Sequence, residues 1–170
     1  MPELPNVVEW AIPIYLLAIL VEVAVGVARG RPTHETRDSL TSIAMAVGFL
    51  VSGAVFGVGG IFVYRWVQTH LGIWDVGWSW QVFVLCFVLD DFRKYWLHRT
   101  QHVVRWFWAA HVTHHSSQHL NFATALRNPP TLVFTQAFLF RLPLALLGFP
   151  IEMVAFVGGL DSVYQFFVHT

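Results

Sequence analysis

Residues Val7–Ala28 read VVEWAIPIYLLAILVEVAVGVA. This stretch holds two carboxylates, Glu9 and Glu22, and no basic side chain. Crossing a hydrocarbon core takes about 20 helical residues, because every backbone polar group must be satisfied within the segment. The stretch therefore reads as a membrane helix over 7–28. Glu9 sits near one end, within reach of the interface, whereas Glu22 lies deeper and requires a polar neighbour or a tilt toward the headgroups. No cluster of positive charge precedes the first apolar residues, which argues against a cleaved secretory signal and for a retained first helix.

Working outward, the composition agrees with this reading. The chain of 170 residues is 56% hydrophobic and only 12% charged, far from the soluble average. Ten basic and ten acidic residues cancel, so there is no field to draw in nucleic acid, which is excluded as a partner. A single cysteine, Cys86 in QVFVLCFVL, rules out an intramolecular disulfide and a thiolate metal cluster.

A second apolar helix is expected over 40–64, where the small residues of SGAVFGVGG allow close helix packing. A third, over 76–92, is short for a crossing and runs into DDFRKYW; continued as a helix, it would carry His98 and His102 beyond the bilayer. Two further apolar segments, 131–147 and 151–168, are split by Gly148, Phe149 and Pro150, and read as two spans or a re-entrant hairpin. The expected fold is an all-α integral membrane bundle of four to five hydrophobic helices, one domain over 1–170, with a histidine-rich segment over 93–128. Arg29, Arg31 and Arg37 follow the first helix, and Arg93, Lys94, Arg99, Arg105 and Arg127 follow the third. This asymmetry predicts a multi-pass protein with both basic loops, and hence the histidines, on the cytoplasmic side.

Between His98 and His119 the sequence HRTQHVVRWFWAAHVTHHSSQH contains six of the nine histidines. His98 and His102 are four apart; His111 is followed at three and four by His114 and His115. Such spacings share a helix face, so each group aims its imidazoles at one point. An isolated histidine in such a place generally has its own hydrogen bond. Five at ligand spacing instead indicate a metal for which imidazole is suited, among zinc, copper, iron and nickel. No glutamate stands between them as in H-E-x-x-H, which disfavours a zinc hydrolase, and the surplus of nitrogen donors points to more than one ion. His119, four beyond His115, is a less secure ligand. Two other classes fit a histidine-rich membrane protein: a haem-binding b-type cytochrome, and a non-catalytic metal transporter or sensor.

DDFRKYWLHRTQH, WAAHVTHHSS, FATALRNPP and YQFFVHT together resemble the sterol desaturase and fatty acid hydroxylase superfamily, over roughly 90–170. The resemblance implies an iron-dependent membrane oxidoreductase with a non-haem di-iron centre, which hydroxylates or desaturates a sterol, fatty acyl or related lipid. Dioxygen and an electron donor (a reductase, ferredoxin or cytochrome) would be needed. It further implies His98, His102, His111, His114 and His115 as iron ligands, with His169 belonging to or supporting the site. The superfamily's third histidine box does not occur before Thr170, so the expectation is a chain incomplete at its C-terminus and inactive by itself. Asp90, Asp91 and Asp161 are candidates to orient the imidazoles through their free N–H groups, with capping or pairing to Arg93 and Lys94 as the competing role. Asn121 and Arg127 are placed near the site by the same resemblance, Arg127 having lipid phosphate as its other possible partner. Trp96, Trp106 and Trp108 suit a membrane interface.

Overall fold

The computed structural model describes residues 4–168. Among them every regular element is helical. Helix α1 spans Val7–Ala28 and is closed by Gly30 in the left-handed region, with Arg31 N–H returning to the Gly26 carbonyl at 2.9 Å. Helix α2 spans Thr36–Leu71, longer at both ends than the apolar stretch within it, because Glu35 caps its first turn by accepting from Asp38 N–H. Its 36 residues rise about 54 Å, more than the thickness of a bilayer's hydrocarbon layer. Helix α3 begins at Trp80, where Ser79 caps the chain after the left-handed Gly77, and runs unbroken through Asp90 and Asp91 to Val103. The chain is extended at Val104, the second of two β-branched valines, and resumes as α4 over Arg105–His111.

Residues 131–147 do not form the single helix expected of them. They make two 3₁₀ segments, Pro130–Thr135 and Ala137–Arg141, followed by the five-residue helix α6, Leu142–Leu146. The short helix α5, Phe122–Ala125, precedes them. The physical cause is local. Pro129 and Pro130 start the segment without amide donors, the Thr135 hydroxyl donates to the Leu132 carbonyl at 2.6 Å, and Gln136 adopts φ 58°. An apolar composition dictates burial, not helical continuity. Helix α7 then spans Ile151–Val168. By length and composition, α1, α2 and α7 can cross a membrane, and the outward faces of α1 and α2 expose leucine, isoleucine, valine and phenylalanine as a lipid-facing surface does.

The core lies where α2 and α3 meet the α6–α7 corner: Tyr64, Val67, Cys86, Leu144, Phe149, Met153 and Val157 are buried together. Two side chains of α2 satisfy that corner's backbone, since the Tyr64 hydroxyl donates to the Phe149 carbonyl at 2.8 Å and Gln68 donates to the same oxygen at 3.0 Å. The corner turns at Gly148, with φ +87°, where an added Cβ would lie 1.8 Å from the Trp74 carbonyl oxygen. Gly148→Ala is accordingly expected to cost more than the about 1–3 kcal/mol of a strained backbone conformation alone, to be measured by thermal unfolding of the detergent-solubilised protein. Gly59→Ala, whose Cβ meets nothing within 4 Å, is expected to be neutral or slightly stabilising in the same assay.

Candidate metal centre

The break at Val104 is what brings the two histidine groups together. Helix α3 presents His98 and His102 on one face, four residues apart, and α4 returns against α3 so that its last residue His111, and His115 in the 3₁₀ turn His114–Ser116 that follows, face them. One ring nitrogen from each of these four lies within 4.8 Å of the other three. Within each pair the contact is tighter, 3.0 Å between the Nε2 atoms of His98 and His102 and 3.1 Å between those of His111 and His115. Two imidazoles bound to one ion at about 2.0–2.1 Å per bond would place their nitrogens roughly 2.8–3.4 Å apart, so both pairs match the edge of a coordination shell. The donor set also fits iron, for which imidazole is an ordinary ligand.

Burial tunes the cluster. His111 is only 5% exposed, and its pKa is pushed down to about 3, first by burial and then by the neighbouring imidazoles His114, His98, His115 and His102. A ring kept neutral is one with a lone pair to offer. The Trp108 ring stacks on His115 at 6.0 Å between centroids and covers one side of the cluster.

His114 stands beside the four, its ring centroid 5.3 Å from that of His111 and 5.0 Å from that of His115. Its Nδ1 lies 2.9 Å from the Arg127 carbonyl. A carbonyl oxygen can only accept, so Nδ1 carries the proton and the neutral ring's lone pair resides on Nε2, an arrangement common in metal-bound histidines. The His119 ring lines a cavity with His114 and His115 but is not among the four converging nitrogens. His169 lies outside the described residues.

Four of the polar residues suspected of orienting imidazoles, Asp90, Asp161, Asn121 and Arg127, have other partners. Asp90, fully buried, accepts from Arg93 at both oxygens, at 2.6 and 3.0 Å. Asp161 pairs with Lys94, joining α7 to α3. Asp91 lines a cavity between those two helices. Asn121 donates to the Thr33 carbonyl at 2.8 Å and caps α5 by accepting from Thr124 N–H at 3.0 Å. Arg127 is buried, with its guanidinium on the Asp38 carboxylate at 2.6 Å, the Asp38 carbonyl, the Ser42 hydroxyl and the Ser116 hydroxyl.

These clamps hold the second histidine group against the N-terminal end of α2. Asp38 and Ser42 carried no signal in the sequence, since their partner lies more than eighty residues away. Glu22 does find the polar neighbours its depth requires: it accepts from Phe122 N–H at 2.8 Å and lies 3.4 Å from His34 Nε2.

With this geometry in view, comparison with known proteins is decisive. The family model for fatty acid hydroxylases matches residues 83–170, which includes all but the first three residues of α3, the histidine groups and α7. The chain belongs to the fatty acid hydroxylase family. Across 99% of its length it is also similar to the alkylglycerol monooxygenases of Homo sapiens, at 34% identity, and Danio rerio, at 32%. A further relative, the Caenorhabditis elegans alkylglycerol monooxygenase, is 39% identical over 104 residues. The chain spans 38% of the length of the human and zebrafish proteins. No solved structure matches it.

Proposed function

We propose that this chain forms the histidine-rich metal-binding part of a membrane monooxygenase that inserts oxygen into an ether-linked lipid of the alkylglycerol class. The observation that carries the reading is the convergence of His98, His102, His111 and His115 within 4.8 Å, in a family of lipid hydroxylases. Four nitrogens so gathered form a ligand set that a small inward shift of the rings would close on one ion. A di-iron centre draws on His114 as well, through Nε2, and on donors outside this group, for which His169 is the candidate in this sequence. Bound iron would supply the activation of dioxygen, one oxygen atom entering the lipid C–H bond and the other leaving as water with two electrons from an external donor and two protons from solvent.

The chain's own residues do the rest. His111, buried and neutral, fixes the centre of the cluster; the Arg127 carbonyl sets the tautomer of His114; Trp108 stacks on His115 and holds its ring. The basic residues after α1 and along α3 and α4 support a cytoplasmic side for this cluster in a multi-pass protein.

The test is metal analysis and absorption spectroscopy of the detergent-purified protein, with turnover of an alkylglycerol under dioxygen and a reductant. The expected result is bound iron without a Soret band, together with product that requires both dioxygen and electrons. A Soret band, or iron content unchanged in a His98→Ala/His111→Ala double variant, would overturn the reading.

A further inference from the structure

Helices α3 and α7 pack side by side and carry matching faces. On α3, Phe87, Asp91, Lys94, His98 and His102 recur at intervals of four, three, four and four, so one helix face leads from apolar to polar and ends at the metal cluster. On α7, Val157, Asp161, Tyr164 and Val168 recur in the same way. A cavity of about 310 Å³, at the lower end of the range for small-molecule sites, lies between these faces, lined by Phe87, Asp91, Val157, Asp161 and Tyr164. A second cavity, of about 430 Å³, is lined by His114, His115 and His119, and by Val168 from the same face of α7. From Phe87 to His98 is about 16 Å along the helix, as is Val157 to Val168. The first cavity thus forms a groove between α3 and α7, and the second lies further along the same face of α7, beside the histidines. Phe87 is 43% and Tyr164 61% exposed, so the groove opens sideways where lipid would lie.

We infer that this α3–α7 groove holds the alkyl chain of the lipid substrate, with an uncharged, hydroxyl-bearing headgroup passing the Lys94–Asp161 pair into the histidine-lined cavity. The inference rests on the oxygenase reading for what the groove serves. The choice of headgroup rests on charge. Around the groove stand Asp90 with Arg93, Asp161 with Lys94, the lining Asp91, and Arg141, which reaches α7 at Gly158 and lies within electrostatic reach of Asp90 and Asp161. Three carboxylates and three cations cancel. An ionised carboxylate or phosphate would upset that balance in an apolar setting where unpaired charge is costly. A hydroxyl instead donates to Asp91 or Asp161 and accepts from Lys94 without adding charge.

Two photoreactive probes of equal chain length, each with a mid-chain diazirine, decide the matter in the protein reconstituted in phosphatidylcholine vesicles: one a neutral alkylglycerol ether, the other a fatty acid. Adducts mapped by mass spectrometry are expected at Phe87 and Tyr164, several-fold more with the neutral probe. Phe87→Trp, which fills the groove, is expected to lower them several-fold; Val88→Trp, on an outward face of α3, to leave them unchanged. Asp91→Lys is expected to move the preference toward the fatty acid. Adducts spread evenly over α1 and α2, labelling indifferent to Phe87→Trp, or equal labelling by both probes would overturn the inference. Labelling is read without iron. Groove adducts in protein that never binds iron therefore support the groove while overturning only the oxygenase reading, and an iron-loaded protein with unlabelled groove residues does the reverse.

Discussion

Replacement of His111 by alanine is expected to abolish retention of iron by the purified protein, with the loss in affinity exceeding the roughly 10–100-fold typical when only a residue supporting a ligand is removed. His111 is the buried member of the four converging imidazoles, and the ring centroids of His98 and His102 each lie 4.9 Å from its own. Its neutrality is enforced by burial, so its lone pair is available at any ordinary pH. The measurement is iron per polypeptide after gel filtration in a weak chelator. His119→Ala, at a ring outside the converging set, is expected to keep its iron. Were His111 merely a hydrogen-bonded core residue, its loss would cost about 1–3 kcal/mol of stability and leave iron content untouched.

The second large effect concerns Arg127. Arg127→Met keeps most of the side chain's length but leaves the Asp38 carboxylate, itself only 16% exposed, without its guanidinium. Removing one partner of a buried ion pair costs about 3–5 kcal/mol, because the remaining charge stays desolvated. The same substitution strips the hydrogen bonds to the Ser42 and Ser116 hydroxyls. Thermal unfolding in detergent is expected to show the full loss, and Asp38→Asn combined with Arg127→Met to recover part of it by removing the stranded charge. A double variant no more stable than Arg127→Met alone would show that the hydroxyl contacts, not the ion pair, dominate. Because the Arg127 backbone carbonyl still receives His114 Nδ1, iron retention is expected to fall less than in His111→Ala.

How much was legible beforehand differs sharply between elements. The run of apolar side chains over Val7–Ala28 specifies its helix outright, since a bilayer-spanning segment satisfies its own backbone and its length is set by the hydrocarbon. The continuation of α3 through two aspartates to His102 was equally readable, because nothing in DDFRKYWLHRTQH breaks a helix. Residues 131–147 show where such reading fails. Their composition matches that of a spanning helix, but prolines and a left-handed Gln136 break the hydrogen-bond ladder, and hydropathy is blind to backbone connectivity.

By itself the amino-acid order determined the membrane character and the pairing of imidazoles within each histidine group, because both follow from side-chain periodicity over a few residues. Tertiary structure alone decided that the two groups meet, through the extended residue at Val104 and the clamping of Arg127 onto Asp38. It also decided that Asp161 and Asn121 tie elements together. The physical reason is range: helix spacing is a property of neighbours, whereas the partner of a buried charge is whatever group the packed bundle brings within about 3 Å of it.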